Sequence, residues 1–220
     1  MKKIIGLLVC LLAGSANATV IVSDGNGVDS GTDCTFGCVE RYQQVYSSSL
    51  FSGLTDINSV LFNNSQAKSV AFGSTFSMSL STSNNSVNTL SSIFASNVGA
   101  DLQLFQSGVD FGGSYSANQD YGFTGSFLYD PTQGDLLVDI IRTSGSSISL
   151  YSDYNYGGNT AGEYSRVYQF TGTVSGNVGN NYGNHTKFIT NAASVPEPTS
   201  LALLGLGLAG FGFSRKKKKA

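Results

Sequence analysis

The chain has 220 residues, of which only 12% are charged, and its formal net charge is −2. Typical globular proteins carry charges on about a quarter of their residues. A slightly acidic chain with so few charges does not fit a nucleic-acid-binding protein, which needs a basic surface. Tryptophan is absent, but 14 Phe and 11 Tyr recur along the whole length and supply apolar surface for a core. The composition therefore predicts a folded domain rather than a disordered chain.

The N-terminus has the three parts of a secretory signal peptide. Two lysines precede an apolar run, Ile4–Ala13, and the run is followed by the small-residue sequence Ala16-Asn17-Ala18. This order predicts a signal peptide at residues 1–18 that is handled by the Sec export machinery and cleaved after Ala18. The mature chain then begins at Thr19, and Cys10 is lost with the signal.

The mature chain keeps two cysteines, Cys34 and Cys38, in the sequence CTFGC. Export places them in an oxidising compartment, so the spacing predicts a structural disulfide between them, with Gly37 allowing the tight turn. A bridge over so short a loop contributes about 2 kcal/mol. A redox site more typically has C-x-x-C, and a zinc site needs two further ligands, so both alternatives are less favoured.

The loop before the cysteines, Asp24–Asp33, is faintly similar to a calcium-binding loop. It fails the EF-hand pattern, because Val28 stands where an oxygen ligand is needed and Thr35 stands where the bidentate glutamate belongs. An ordinary polar loop is the preferred interpretation, and no metal site is predicted.

Residues 19–194 form one predicted domain without an internal repeat. Short apolar segments with a period of two residues, separated by Gly, Asn and Ser, predict many short strands and a mainly β fold, a β-sandwich. The predicted strands are Tyr42–Tyr46, Ile57–Phe62, Ser74–Leu80, Leu102–Gln106, Phe123–Tyr129, Leu136–Ile141, Ile148–Tyr151, Tyr164–Val174 and Lys187–Thr190. Within the segment from Tyr164, alternating polar and apolar residues predict a strand buried on one face.

Two segments carry more specific local signals. In FLYDPTQGDLLVDI, Asp130, Pro131 and Gly134 predict a turn that joins two strands as a hairpin. In the segment Val87–Phe94, apolar residues at helical spacing predict one short helix of two or three turns, with Asn85 or Ser86 as its cap.

The sequence offers little chemistry. The single histidine, His185, lies in a polar segment and is predicted to be an exposed loop residue, and no nucleophile elbow accompanies it. Paired carboxylates of a glycosidase are the other possibility. Turn roles explain Asp130 and Asp135, and Asp139 is predicted on the solvent face of a strand; the remaining candidates are Asp153 and Glu163. The prediction is that the protein is not an enzyme, with no catalytic residues and no cofactor.

One loop concentrates aromatic and amide side chains. Tyrosine rings beside carboxylate and amide groups are suited to stacking on a sugar and hydrogen-bonding it, and loops at the end of a sandwich are common binding sites. The residues of this candidate sugar-binding loop are Tyr151, Asp153, Tyr154, Asn155, Tyr156 and Asn159. The alternative is an ordinary long loop whose tyrosines cover a sheet edge.

The C-terminus, residues 195–220, has three parts in a fixed order. Pro196-Glu197-Pro198 predicts a stiff, extended spacer, the following apolar segment predicts a membrane helix at about residues 199–214, and residues 215–219 are basic. The apolar run Leu201–Phe213 has 13 residues and spans only about 20 Å as a helix. Because the basic side chains can snorkel to the interface, the run is predicted to insert in the inner membrane with its basic end cytoplasmic.

This order of parts resembles the PEP-CTERM sorting signal. The resemblance implies an exported protein of a Gram-negative bacterium that makes exopolysaccharide, recognised and cleaved near Pro196, Glu197 and Pro198 by the membrane enzyme exosortase. It implies a transient inner-membrane precursor and a product at the cell surface or outside the cell. More weakly, the stretches RYQQVYSSSLFSG and YDPTQGDLLVDI resemble cargo domains attached to this signal, which implies a jelly-roll-like sandwich.

The functional classes follow in order of preference. The first is a non-catalytic surface or extracellular-matrix protein associated with exopolysaccharide. The second is a carbohydrate-binding module, and the third is a polysaccharide hydrolase.

Overall fold

The structure is a computed structural model that describes residues 17–22, 36–64, 66–151, 154–156 and 162–192. It is mainly β, as the sequence predicts. The strands, in chain order, are β1 (Asn17–Val22), β2 (Arg41–Tyr46), β3 (Thr55–Asn64), β4 (Lys68–Val70), β5 (Thr75–Thr82), β6 (Gln103–Asp110), β7 (Gly113–Tyr115), β8 (Gln119–Tyr129), β9 (Leu136–Ser144), β10 (Tyr154–Tyr156), β11 (Tyr164–Gln169), β12 (Asn177–Gly179), β13 (Tyr182–Asn184) and β14 (Thr186–Ala192). The helices described are single 3-10 turns at Phe36–Cys38, Ser48–Leu50, Phe94–Asn97 and Pro131–Gln133.

Two antiparallel sheets face each other. One has four strands in the order β1-β14-β3-β8, and the other has six in the order β12-β11-β2-β9-β5-β6. Two short ribbons, β4 with β7 and β10 with β13, complete the described strands. The two large sheets bury one continuous core between them, to which both contribute alternate side chains.

An aromatic cluster fills the centre of this core. Phe36 lies in the middle of it, with ring centroids 5.0 Å from Phe62, 5.6 Å from Phe76 and 5.7 Å from Phe123. The residue after it, Gly37, has no positive φ, so the reason for glycine is a close approach rather than the predicted turn. A Cβ on Gly37 would lie 2.8 Å from Cγ1 of Ile148. The cysteine segment is therefore packed into the sandwich by Phe36.

A second, smaller core covers the outer face of the six-stranded sheet. The segment 83–98 lies over this face and places Leu90 and Phe94 against Val45, Leu137 and Val167. Strands β2, β9 and β11 are consequently buried on both faces. The prediction that the strand at Tyr164 is half-buried was wrong for this reason.

The predicted helix in this covering segment is also wrong. Asn88 has φ 64°, and its backbone N–H donates to Ser165 Oγ (2.9 Å) while Val87 N–H donates to Asp135 Oδ2 (3.0 Å). Side chains of the sheet thus take the backbone donors that a helix would need. The apolar spacing reflects packing on the sheet, and only a 3-10 turn at Phe94–Asn97 is helical.

The turn at Asp130–Gly134 forms as predicted, but it does not join a hairpin. Asp130 caps the 3-10 turn by accepting from Thr132 N–H (3.0 Å), and Gly134 has φ 139°. The preceding strand β8 pairs with β3, whereas the following strand β9 pairs with β2 and β5. The turn therefore carries the chain from one sheet to the other.

Most predicted strands are confirmed, with two exceptions. Ile148–Tyr151 is not a strand, although Ile148 N–H donates to the Gly37 carbonyl (2.8 Å), and the predicted Tyr164–Val174 ends at Gln169. Strands β1, β4, β7, β10, β12 and β13 were not predicted; five of these six have only three residues. Such short segments leave almost no periodic pattern to read.

The strand directions define two poles of the sandwich. At the C-terminal pole, β14 ends at Ala192, β1 begins at Asn17 and β11 begins at Tyr164. At the distal pole, β14 begins and β11 ends. Among the described residues no helix is long and apolar enough to cross a membrane, and the predicted membrane helix at residues 199–214 lies outside them.

Candidate functional site

Of the residues considered as catalytic candidates, the histidine is buried and the described carboxylate residues hold loops and strands together. His185 is 9% exposed and lies between β13 and β14, so the predicted exposed position was wrong. Asp135 accepts from the backbone N–H of Ser48 (2.9 Å) and of Val87 (3.0 Å), and so joins two loops to the start of β9. The backbone carbonyl of Glu163 accepts a hydrogen bond from Ser47 N–H. Asp153 lies outside the described residues.

Asp139 corrects a further prediction. It is 5% exposed rather than on a solvent face, because the segment 83–98 covers the outer face of β9. Its carboxylate accepts from Arg41 Nε (3.0 Å) and Nη2 (2.6 Å), a two-point ion pair, and from Gln43 Nε2 (3.0 Å). Arg41 also donates to the Thr173 carbonyl (2.9 Å). This network is satisfied internally and ties β2 to β9.

A second arginine, Arg166, lies on the other face of the same sheet and has different neighbours. It is 4% exposed, and its Cζ lies 3.3 Å from the ring centroid of Tyr182, 4.5 Å from that of Tyr168 and 5.9 Å from that of Tyr42. We call these four residues the arginine–tyrosine cluster. Stacking on tyrosine faces stabilises the guanidinium, which also makes a hydrogen bond with the Tyr42 hydroxyl.

Two glycines allow close packing around Tyr182. A Cβ on Gly179 would lie 2.8 Å from Cδ1 of Tyr182, and a Cβ on Gly183 would lie 2.7 Å from Gln44. Asn181 turns the chain between β12 and β13 with φ 47°. Its backbone N–H donates to Asn88 Oδ1 and its Oδ1 accepts from Asn88 Nδ2, both at 2.7 Å. The side chain of Asn88 thus holds the turn that presents Tyr182.

Polar groups extend the cluster towards β13. The Tyr42 hydroxyl donates to Gln44 Oε1, which also accepts from Asn184 N–H (2.8 Å), and Gln44 Nε2 donates to the Asn184 carbonyl (2.9 Å). Burial raises the pKa of Tyr42, and the positive charge of Arg166 partly offsets that rise. Tyr42 therefore stays neutral and serves as a donor.

The candidate sugar-binding loop lies beside this cluster only in part. Tyr154, Asn155 and Tyr156 form β10, which pairs with β13 so that Tyr156 is opposite Tyr182 and Tyr154 is opposite Asn184. Tyr151 is partly buried, and Lys68 Nζ lies 4.7 Å from its ring centroid. Asp153 and Asn159 lie outside the described residues. Sequence reasoning missed Arg166 as a site residue, although its alternation with Tyr164, Tyr168 and Phe170 was visible.

The remaining predicted sites fall at the edges of the described chain. Ala18 is part of β1, paired with Thr190. Cys38 is disulfide-bonded, so its Sγ carries no proton, and Sγ lies 3.4 Å from the Ile148 carbonyl oxygen. Cys34 lies outside the described residues, so its pairing with Cys38 stays a prediction. The loop Asp24–Asp33 also lies outside, and the described residues contain no group of three or more His, Cys, Asp or Glu that could hold a metal ion.

Comparison with protein families finds one match in the tail. Residues 194–216 match the PEP-CTERM protein-sorting motif, which includes Pro196, Glu197 and Pro198 and lies outside the described residues. Neither the curated proteins nor the solved structures give a significant match to the chain.

Proposed function

Because the chain carries the PEP-CTERM protein-sorting motif at residues 194–216, we propose that it is an exported, non-catalytic protein of the cell surface or extracellular matrix. In this proposal the Sec machinery exports the chain, exosortase processes it near Pro196-Glu197-Pro198, and the product associates with exopolysaccharide. The observation that carries the proposal is the motif itself, with its spacer, apolar segment and basic end in the required order.

The physical chemistry of the tail supports a membrane-bound precursor. Residues 199–214 form the proposed inner-membrane helix, and the basic residues 215–219 meet anionic lipid on the cytoplasmic side at about 1 kcal/mol each. This attraction offsets the smaller free energy of membrane insertion that an apolar run of only 13 residues provides. Two prolines keep the preceding segment extended, which suits a protease acting at the membrane surface.

Cleavage changes the charge of the protein as well as its anchor. Without the signal peptide and tail, residues 19–194 carry 5 basic and 13 acidic residues, a net charge of −8. A product with this charge and no apolar anchor is repelled by anionic lipid and leaves the membrane surface.

The fold is compatible with such processing. The last described strand, β14, ends at Ala192, and the matched motif begins at residue 194. Removal of the motif therefore takes away none of the described strands. We interpret the two antiparallel sheets as a jelly-roll-like cargo domain.

A carbohydrate-binding module is the second candidate. The arginine–tyrosine cluster favours it, because an arginine among tyrosine rings beside β10 offers both stacking surfaces and hydrogen-bond donors for a sugar.

Fractionation of a Gram-negative host that contains exosortase tests the processing. Wild type is expected to give a membrane-bound precursor and a smaller, more acidic product outside the cell. The variant Pro196→Ala with Pro198→Ala is expected to leave the precursor in the membrane, because the extended spacer is lost. The measurement is an immunoblot of each fraction with an epitope inside residues 19–194.

The control variant is Thr199→Ala with Ser200→Ala, which changes two adjacent residues without affecting the proline spacer and should be processed normally. A host without exosortase should reproduce the band of the proline variant. If wild type and the proline variant give the same full-length membrane band, with or without exosortase in the host, the tail is a plain anchor and the proposal is wrong.

A further inference from the structure

Arg166 is a buried cation without a described anionic partner. It is 4% exposed, yet the ion pairs described are those of Arg41 with Asp139 and Lys187 with Asp120. Among the described residues, Arg166 Nε finds no hydrogen-bond acceptor. Arg41, whose side chain is 15% exposed, by contrast makes three hydrogen bonds, two of them to Asp139. A buried charge left without a partner is costly, so its retention calls for an explanation.

The stacking geometry decides where an acceptor would fit. Cζ lies only 3.3 Å from the ring centroid of Tyr182, and Tyr168 is the next ring at 4.5 Å. The guanidinium carbon thus lies over both rings. The N–H donors of a guanidinium lie in its plane, so a carboxylate bonds them along that plane rather than through its faces.

The described acceptors near Arg166 include the Tyr42 hydroxyl, which hydrogen-bonds the guanidinium, and Gln44 Oε1. Gln44 Oε1 is already used by the Tyr42 hydroxyl and by Asn184 N–H. Asn184 Nδ2 is buried and, like Arg166 Nε, has no acceptor among the described residues. Two unpartnered buried donors in one network indicate a ligand that supplies oxygen atoms and negative charge.

The cluster opens towards solvent along its own strand. Arg166, Tyr168 and Phe170 are alternate residues of one face of β11 and its continuation. Tyr168 is partly buried, Phe170 is 55% exposed, and their rings meet edge to face at 5.7 Å. An extended ligand therefore finds aromatic surface leading from the distal pole to the arginine.

We propose that the arginine–tyrosine cluster binds the carboxylate of an acidic sugar, a uronate residue of a polysaccharide. The planar carboxylate takes two in-plane N–H donors of Arg166, as arginine and carboxylate groups do in bidentate pairs. The sugar ring stacks on Tyr168 and Phe170. This inference rests on the proposed exopolysaccharide association and names the class of sugar that it involves.

The acidity of the whole domain does not prevent this binding. Charges farther away than about 8 Å are screened at physiological ionic strength, whereas a desolvated contact at Arg166 is not. The net charge of residues 19–194 instead disfavours non-specific adsorption of long acidic polymers. Short uronate oligosaccharides are therefore the appropriate probes.

Calorimetric titration tests the proposal with the full-length chain in detergent. The probes are a galacturonate oligosaccharide, the same oligosaccharide with its carboxylates reduced to alcohols, and inorganic phosphate. Wild type is expected to bind the first and to bind the other two at least about tenfold more weakly. The same oligosaccharide should raise the Tm of wild type, because a ligand stabilises the state that binds it.

Arg166→Gln is expected to weaken uronate binding about tenfold or more and to abolish the rise in Tm. Its own Tm should equal or exceed that of wild type, since an unpaired buried charge is removed. Lys187→Gln, which removes one exposed positive charge from β14, is the charge-matched control and should bind like wild type. Tyr168→Ala keeps the arginine and removes one stacking ring, so it tests the cluster if Arg166→Gln fails to fold.

Several results would overturn the inference. These are absence of uronate binding by wild type, equal binding of the acidic and reduced probes, equal binding of phosphate, and full binding by Arg166→Gln or by Tyr168→Ala. The outcome is separate from the sorting proposal, because processing of the tail is read from membrane fractions. Normal processing without uronate binding would refute only the inference.

Discussion

Burial of a charged residue in this chain is determined by what covers the sheet and by what lies beside the residue. Asp139 and Asp120 both accept from a basic side chain, Arg41 at 2.6 Å and Lys187 at 2.9 Å. In the first pair the side chains are 15% and 5% exposed, and in the second they are 38% and 34% exposed. Because water screens the exposed pair, the two pairs should differ several-fold in their contribution to stability.

Asp139→Asn is expected to lower the free energy of unfolding by about 3 kcal/mol, because it leaves the partly buried Arg41 without its carboxylate partner. Urea unfolding followed by circular dichroism measures this loss. The matched control is Asp120→Asn. Partial burial alone would raise the pKa of Asp120, but hydrogen bonds from Lys187 and Asn63 hold it below its ordinary value. Its loss should still cost less than about 1 kcal/mol. Equal effects of the two variants would contradict this account.

The sequence predicts local structure correctly where a residue acts only on its neighbours in the chain. Asp130, Pro131 and Gly134 form the predicted turn, because each acts on its own backbone or on the next two residues. Asp139 and His185 were misread, because their burial depends on segments far away in the sequence. For the same reason the sequence shows Arg166 as part of an alternating strand but not as a stacked cation without a described anionic partner.

At the scale of elements, the turn at Asp130–Gly134 is a passage between sheets. A hairpin and a crossover begin with the same turn signal, and the flanking strands decide between them. The run from Leu136 to Ile140 is buried at every position, which is the pattern of a strand inside a covered sheet rather than of a hairpin edge. Hydrogen bonds donated by the hydroxyl and the backbone N–H of Thr132 keep the pKa of Asp130 low, so the cap is ionised at neutral pH.

Gly134→Ala is expected to destabilise the protein by about 1–3 kcal/mol, because a side chain is strained at this backbone conformation. Gly134 has φ 139°, and a Cβ there would lie 3.1 Å from Cγ2 of Thr82. The midpoint of urea unfolding measures the change. Gln133→Ala on the same turn should stay within about 0.5 kcal/mol of wild type. If both variants unfold at the same urea concentration as wild type, the turn does not depend on glycine.

The covering segment 83–98 shows why the sequence pattern predicts a helix where none forms. Its apolar residues Val87, Leu90 and Phe94 pack on the sheet at a spacing that also suits a helix. What excludes the helix is a set of hydrogen bonds to Ser165, Asp135 and Asn181, which come from other strands and loops. Periodicity in the sequence identifies which residues are buried but not which backbone conformation buries them.

At the scale of the whole molecule, the described core between the two sheets is rich in phenylalanine and tyrosine. Burial raises the pKa of Tyr42 and, further, that of Tyr46; for Tyr129, burial together with the charges of Asp135, Asp130 and Asp101 raises it. The folded state keeps these hydroxyls protonated above the pH at which the unfolded chain loses its protons. Their contribution to stability is therefore complete below about pH 10 and declines as pH rises towards the folded pKa values.

Alkaline titration is expected to show two classes of tyrosine. Accessible rings should ionise near pH 10, and the buried ones should ionise at higher pH together with loss of β-sheet circular dichroism. Tyrosinate absorbance measures the first and circular dichroism the second. In denaturant, all 11 tyrosines should titrate in a single step. A single step near pH 10 with the sheet signal intact would refute the burial of these hydroxyls.

The position of β14 has a mechanical consequence. In the predicted mature chain, which begins at Thr19, four residue pairs join it to β1 and seven join it to β3. A pull applied at Ala192 and resisted at the distal pole acts along the strand axis, whereas inter-strand hydrogen bonds in antiparallel sheets run across it. The bonds to both neighbours are thus loaded together in shear rather than opened one after another. A sandwich held by its C-terminus and gripped at its far end resists extension through its central strand.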